Sequence, residues 1–371
     1  MIYLNHAATS WPKPEKVIQG YLDGLRALPE GQFRSVRTNS NVMDECRQSL
    51  GELFQIQSWR RIFFTSGATE AANNIINGLR YMEKRVLVTQ VEYHSVLRPL
   101  YNHPAALQVM VLPCDEHGHI NPQSILNVPG KYDALFVNHC SNVTGAVQDM
   151  CAIGRTAKAR GIPLIMDAAQ SAGCIPIRAE DWYLSGLVFT GHKSLQGLPG
   201  TGGFYIREDL PIIPCKFGGT GRDGRVLRYG DKYEFEPGTQ NAPAIGALNI
   251  AVKALLETGV VNVQAQEIKR IAQVKKSLSL IPRVHVFGGG DNQGPVISIT
   301  MDGLKPGDLA YILESSYGVI TRDGLHCAPL IHERLGTKEK GTLRISISKE
   351  TTQKELDTFI EAIKEISHEV T

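Results

Sequence analysis

The chain has 371 residues, 42% hydrophobic and 20% charged, with a formal net charge of +2. That is a globular composition with ample apolar material for a core, and its length suggests two domains or one large domain with a smaller partner. A near-neutral balance without a long Lys/Arg run gives nucleic-acid binding no electrostatic support, and no apolar run reaches the roughly 18–20 residues needed to span a bilayer.

The first residues, MIYLNHAATSWPKPEKV, lack a basic stretch leading into an apolar one, so no secretory signal is expected. The seven cysteines (Cys46, Cys114, Cys140, Cys151, Cys174, Cys215 and Cys327) are scattered and odd in number. This argues for a reducing cytoplasm and against a disulfide framework.

From about Arg61 to Ile206, short apolar β-branched runs alternate with helical patterns. RIFFTS, RVLVTQ, ALFVNH, PLIMDA, LVFTG and GGFYI read as strands, with ATEAANNIINGLRYM and IGRTAKARG as helices among them. Continuous apolar strands separated by helices predict an α/β fold with a mainly parallel sheet covered on both faces. A polar, Gly-rich stretch follows, and then APAIGALNIAVKALLETG predicts a long helix leading into a C-terminal domain from about residue 255. In that domain PVISITM and TLRISIS read as strands, and GDLAYILESSYG and TQKELDTFIEAIKEI as helices, so it is expected to be α+β.

The chemistry is densest between Pro163 and Ile206. Asp167 closes the apolar strand LIMD, and Lys193 follows the next strand in the sequence Thr190-Gly191-His192-Lys193. A carboxylate at a buried strand end needs a partner, because an unpaired buried charge is very costly. A lysine just past a strand stands where ligand sites in α/β sheets gather. Together they predict pyridoxal phosphate (PLP), with Lys193 forming its Schiff base and Asp167 keeping its pyridine nitrogen protonated. Gln170 either hydrogen-bonds the cofactor's phenolic oxygen or caps a helix. FFTSGATEAANN runs from a strand through Gly67, Ala68 and Thr69 into a helix, whose free amide N–H groups suit a phosphate. Alone, that motif also reads as a plain cap; Thr190 and His192 would complete the cup. For the ring face, VEYHSVLRPL offers Tyr93 and His94.

These residues together resemble the class V aminotransferase family of fold-type I PLP enzymes, and within it cysteine desulfurases and selenocysteine lyases. The resemblance covers nearly the whole chain. It rests on G-A-T-E-A at 67–71, S-N at 141–142, D-A-A-Q at 167–170, T-G-H-K at 190–193 and F-E-P-G-T-Q-N at 235–241, and on T-R-D-G-L-H-C-A-P at 321–329 with T-L-R-I-S at 342–346. It implies a large domain built on a seven-stranded type of sheet and a smaller α+β domain. The expected division is an N-terminal segment over 1–15 packing with the small domain, a PLP-binding domain over 16–254 and a small domain over 255–371. By the same match Cys327 would carry the persulfide, Arg344 would clamp the substrate carboxylate, and Asn142 would sit near the phenolic oxygen and that carboxylate. Asn5 and Ala7 would line the substrate side. The family is homodimeric, and Thr239 would reach the phosphate of the neighbouring subunit. The substrate would be cysteine or selenocysteine, with a sulfur-acceptor protein as a further partner.

Where the family usually has Glu-His, this chain reads Glu92-Tyr93-His94. An ungapped match puts Tyr93 over the ring; either His94 takes over through a local shift or proton handling differs, since a phenol with a pKa near ~10 is a poor shuttle at neutral pH. Arg322 and His326 are the candidates for activating the Cys327 thiol. Two rivals stay open: another class V enzyme, such as an aminotransferase or a cysteine β-lyase, and a non-catalytic PLP-binding sulfur-relay partner. Three further motifs carry no assigned chemistry. Cys114, His117 and His119 form half a metal site with no second cluster, so no metal is expected. FGGGDNQGP at 287–295 reads as a turn, and GGTGRDG at 218–224 as a loop near the site.

Overall fold

The computed structural model describes residues 1–27, 42–219, 227 and 235–370, so all of GGTGRDG except Gly218 and Gly219 lies outside the described residues. Strand β1 (Ile2–Tyr3) is followed by helices α1 (Glu15–Arg26) and α2 (Val42–Phe54). Then strands and helices alternate: β2 (Ile62–Thr65), α3 (Ala68–Gly78), β3 (Arg85–Thr89), α4 (His94–Tyr101), β4 (Gln108–Leu112), α5 (Ser124–Asn127), β5 (Ala134–Asn138), α6 (Met150–Ala159) and β6 (Leu164–Asp167). Strands β7 (Gly186–Thr190) and β8 (Gly202–Ile206) complete a seven-stranded sheet in the order β2-β8-β7-β6-β5-β3-β4. Strands β4, β3, β5, β6 and β7 run parallel, whereas β8 is antiparallel to both its neighbours.

Each of the six apolar runs quoted between Arg61 and Ile206 forms a strand of this sheet. β5, β6 and β7 are buried along their whole length, as continuous apolar runs covered by helices require. Strand β4 is absent from those patterns because it is an edge strand, partly exposed and opened by Gln108. The parallel strands deliver Thr89, Asn138, Asp167 and Thr190 to one edge of the sheet, the carboxyl end where such folds bind ligands.

The rest of the chain forms α7 (Ala242–Thr258), α8 (Val260–Leu278), β9 (Val284–Phe287), β10 (Val296–Met301), α9 (Pro306–Tyr317), β11 (Val319–Ile320), β12 (Arg322–Gly324), α10 (Pro329–Arg334), β13 (Thr342–Ser346) and α11 (Gln353–Glu369). A four-stranded antiparallel sheet has the order β12-β13-β10-β9, and β1 pairs in parallel with β11. Helix α11 starts at a capping box, in which Thr352 accepts from the Glu355 amide and Glu355 reaches back to the Thr352 amide. Such a cap contributes about 1 kcal/mol.

Three large apolar clusters are present among the described residues, two on the seven-stranded sheet, one of them with α3 over Val86, Val88, Phe136, Ile165 and Val188, and one on the four-stranded sheet. Ile245, Leu248, Val252 and Leu255 of α7, with Val263, pack with the seven-stranded sheet. Ile271, Val274 and Leu278 pack with Leu343, Ile345 and Phe359, and Leu4 from the N-terminal segment joins them. Burying side chains of this size stabilises by about 1.5–3 kcal/mol each.

Two of the three motifs without assigned chemistry meet. His119 Nε2 lies 2.6 Å from the Gly289 carbonyl oxygen and His117 Nδ1 3.2 Å from that of Gly288. The histidines thus fasten the FGGGDNQGP turn, and among the described residues no group of three His, Cys, Asp or Glu is placed to hold a metal. The same turn donates from Asn292 Nδ2 to the Val147 carbonyl (2.6 Å) and from Gln293 Nε2 to those of Thr144 and Val296 (3.1 and 2.6 Å). It therefore straps the segment after Asn142 to the small sheet. Among the described residues no single helix is long and apolar enough to cross a membrane.

Candidate active site

A cavity of about 300 Å³ opens at the carboxyl end of the large sheet. Its walls come from strand ends β5, β6 and β7, the start of α3, the residues flanking the start of α4, the N-terminal segment, and Arg322 and Arg344 of the small sheet. Asp167 and Lys193 face each other across its floor. Asp167 is buried, and one carboxylate oxygen accepts from the Ala169 amide at 2.8 Å. Burial pushes its pKa up, against that amide, the Lys193 charge and a hydrogen bond from Ser95. The Lys193 ammonium is pushed down to about 8, chiefly by burial, with Asp167 opposing and Arg344 and Arg322 reinforcing the shift. As a residue Lys193 is only partly shielded, because it borders the open cavity.

The backbone before Lys193 is held by the N-terminal segment. The His192 carbonyl accepts from Lys13 Nζ (2.7 Å), the Ser10 amide (3.0 Å) and the Thr9 hydroxyl (3.1 Å). His192 itself is pushed down to about 4 by burial and by Lys193, so it is neutral at physiological pH. Helix α3 begins at Gly67 without a side-chain cap, which leaves the amides of Ala68, Thr69 and Glu70 free of intrahelical acceptors. Glu70 reaches back to the Ser66 amide and hydroxyl (2.9 and 2.6 Å) and pairs with Lys216. Gly202 passes so close that a Cβ there would sit 2.6 Å from the Gly67 Cα, so the helix start is seated directly on β8.

Arg344 is the most informative side chain on the far wall. It is 1% exposed, yet its hydrogen bonds go only to neutral oxygens: the Asn5 side chain at 3.0 Å and the Asn142 carbonyl at 3.3 Å. Its Nε has no partner. Burial and the neighbouring Arg322 push it down to about 9. A buried guanidinium beside a second arginine, with no carboxylate hydrogen-bonded to it among the described residues, is a site for an anionic ligand.

Cys327 lies next to Arg322, which lines the cavity. His326 and Cys327 both have positive φ (50° and 58°), a left-handed pair that makes a tight turn of this loop. The loop is pinned at two carbonyls: Asn142 Nδ2 donates to that of His326 (2.7 Å) and the His94 amide to that of Cys327 (2.9 Å). Arg322 Nη2 is 3.9 Å from the Cys327 sulfur. His326 is not its activator: its Nε2 bonds to Thr342, and burial with Arg344 pushes it down to about 2, so it carries no charge.

The structure thus brings Lys193, Asp167, Gln170, Ala68, Thr69, Tyr93, Asn142, Thr190, His192, Ala7 and Arg344 to one cavity. Asn5 stands behind Arg344. Gln170 spends one amide hydrogen on the Ala7 carbonyl at 3.0 Å. His94 opens α4 beside the cavity and touches Cys327 through its backbone; Tyr93 is the member of the pair on the cavity wall. Thr239 is exposed, outside the cavity lining of its own chain, in a segment anchored by Glu236 to the Phe64 amide (2.7 Å) and to Arg47. Sequence reasoning missed Ser95 and Asn138, both on the cavity wall. Asn138 closes β5 as Asp167 closes β6, and that register was the available signal.

A sequence model described as aminotransferase class V matches residues 2–359. The chain belongs to this family. Members of the class V family depend on PLP, and the donor set here fits it: an amine bordering the cavity, a buried carboxylate, a helix start without a side-chain cap and a buried arginine with no carboxylate hydrogen-bonded to it among the described residues. Among similar class V proteins is a probable cysteine desulfurase of Methanothermobacter thermautotrophicus, 29% identical over 99% of this chain and 94% of the relative. A cysteine desulfurase of Pectobacterium carotovorum is 27% identical over 99% of this chain and 93% of its own. The apo structure of cysteine desulfurase from Thermococcus onnurineus superposes with a TM-score of 0.89 at 25% identity, covering 99% of this chain and 95% of that one.

Proposed function

We propose that this protein is a PLP-dependent cysteine desulfurase that converts L-cysteine to L-alanine and leaves the sulfur as a persulfide on Cys327. The observation that carries the reading is the thiol itself: Cys327 sits in a loop pinned at the His326 and Cys327 carbonyls, with Arg322, which lines the same cavity as Lys193 and Asp167, beside its sulfur. A transaminase or a β-lyase needs no cysteine there. The class V match and the desulfurase relatives support the same reading.

Lys193 holds the cofactor, Asp167 partners its ring nitrogen, and the start of α3 with Thr190 and His192 receives its phosphate. When bound, the cofactor supplies an electron sink that makes the α-proton of an amino acid labile. Arg344 takes the substrate carboxylate, and Asn5 behind it fixes the guanidinium plane. Asn142 keeps its Oδ1 unpartnered and buried toward the ligand side while its amide holds the Cys327 loop. Lys193 carries the proton, because an amine near neutrality both accepts and returns it. The Cys327 thiolate attacks the substrate sulfur: an S–S bond forms, the C–S bond breaks, and its electron pair stays on the substrate carbon, which is protonated to give alanine.

The active assembly in this reading is a cytoplasmic homodimer in which Thr239 reaches the partner's phosphate site. The chain divides into an N-terminal segment over 1–15, a PLP-binding domain over 16–254 and a small domain over 255–371. Selenocysteine is the second substrate to test, since selenium leaves more readily and needs Cys327 less. The deciding experiment is product identification with L-cysteine. Alanine and sulfide are expected in equal amounts in the presence of a thiol reductant, and Cys327→Ala abolishes both. Pyruvate, or sulfide release that survives Cys327→Ala, would overturn the reading in favour of a β-lyase.

A further inference from the structure

Four donors converge on the peptide just ahead of Lys193. The His192 carbonyl oxygen accepts from Lys13 Nζ (2.7 Å), the Ser10 amide (3.0 Å) and the hydroxyls of Thr9 and Ser10 (3.1 Å each). A carbonyl has two lone pairs, so four donors oversubscribe it, and the ammonium, charged and nearest, is the strongest of them. Lys13 also donates to the Ser10 hydroxyl oxygen at 2.8 Å, which leaves the Ser10 hydrogen to the same carbonyl. On the other side of the lysine, the Lys193 carbonyl accepts from the Gln196 amide at 2.7 Å. Hydrogen bonds to the carbonyls before and after it thus fix the Cα that carries the amine.

We propose that Lys13 is a positioning residue for Lys193: its ammonium, acting through the His192 carbonyl, fixes the backbone from which the cofactor-holding amine projects. The inference rests on Lys193 being the residue that holds PLP, and it does not depend on Cys327. Lys13 is not among the residues lining the cavity, so it acts through the peptide and touches neither cofactor nor substrate. Its hydrogen bonds go to neutral oxygens, and burial pushes the ammonium down to about 8, so it is still charged at pH 7. A half-buried ammonium with neutral acceptors costs free energy. Fastening the N-terminal segment to the fold does not require it. Neutral contacts already do that: the Tyr3 hydroxyl donates to the Thr9 carbonyl (3.0 Å), and the Ala7 amide to the Ser346 hydroxyl (2.8 Å).

The test follows covalent capture of the cofactor, which needs no turnover. Cofactor-free parent and Lys13→Met are mixed with PLP at pH 7 and reduced with borohydride at intervals. The pyridoxyl label is then counted at the Lys193 peptide by mass spectrometry. Methionine keeps nearly the length of the side chain and removes its donors. The variant is expected to capture PLP about threefold or more slowly, and its bound cofactor to give a weaker visible circular dichroism per molecule, because the amine is held less exactly. Lys13→Arg restores a charged donor and should bring both readouts back toward the parent. Urea midpoints report the fold of each protein, and if Lys13→Met does not fold, Lys13→Gln carries the same comparison. Equal capture rates and equal dichroism in folded protein would overturn the proposal and leave Lys13 as a fastening of the N-terminal segment. A parent that takes up PLP without label at Lys193 would overturn the cofactor assignment as well, so the two failures are told apart.

Discussion

Arg344 concentrates the substrate argument in one side chain. Its five donors find two neutral acceptors, Asn5 Oδ1 and the Asn142 carbonyl, and no carboxylate among its hydrogen bonds. Replacing it with lysine keeps a charge and loses the fork that matches a carboxylate. Arg344→Lys is therefore expected to raise KM for cysteine about 10–100-fold, with a smaller effect on kcat; an unchanged KM in steady-state assays would remove Arg344 from the substrate site. Lys193 gives a pH prediction. Its folded pKa is depressed from 10.5 to about 8, so it is protonated below that pH and a free amine above it. The rate at which cofactor-free protein takes up PLP should rise with pH and level off above about 8; a midpoint near 10 would show that burial does not act on this amine. Lys193 and Asp167 were legible in the sequence because strand ends announce themselves. Ser95 was not: a serine in the first turn of a helix has no local mark that it will line the same cavity as an aspartate two strands away.

At the scale of elements, the turn between β9 and β10 matters most. Gln293 Nε2 and Asn292 Nδ2 bond to backbone carbonyls between Thr144 and Val147, and the Gly294 amide to the Gly145 carbonyl at 2.7 Å. Gly145 has φ +72°, and a Cβ there would lie 2.1 Å from the Val296 carbonyl oxygen. Both facts forbid a side chain. Gly145→Ala should destabilise the protein by about 2–4 kcal/mol, seen as a lower midpoint in urea. Because Asn142 lies on the strapped segment and holds the Cys327 loop, the variant should also slow persulfide formation in protein that remains folded; full activity would uncouple strap from site. In sequence FGGGDNQGP and CDEHGHI each read as a turn, the second with a metal half-site set aside for want of a second cluster. Each motif is the other's partner, which spacing along a chain cannot show. The strands of the large sheet were legible because burial on both faces forces continuous apolar runs, whereas β4 and β9, at sheet edges, carry weaker patterns.

For the whole molecule, the proposed assembly makes its own prediction. Thr239 is exposed and outside the cavity lining of its own chain, on a segment fixed by Glu236 rather than loose. If it completes the partner's phosphate site, sedimentation should give a dimer and Thr239→Ala should bind PLP several-fold more weakly, the loss of about one hydrogen bond to a charged group. A monomer with full PLP affinity would refute the arrangement. The pairing of β1 with β11 has a consequence for biosynthesis. Ile2 lies beside Val319, and Asn5, Ala7 and Ser10 then thread from Arg344 to the His192 carbonyl. On the ribosome, the early partner of each of these contacts emerges long before the late one. The large sheet is able to form while the segment that will finish the catalytic centre waits, unpaired, for the last third of the chain. Assembly of the active centre is thereby postponed to the end of translation, and a chain stalled before β11 would carry Lys193 without the wall that faces it.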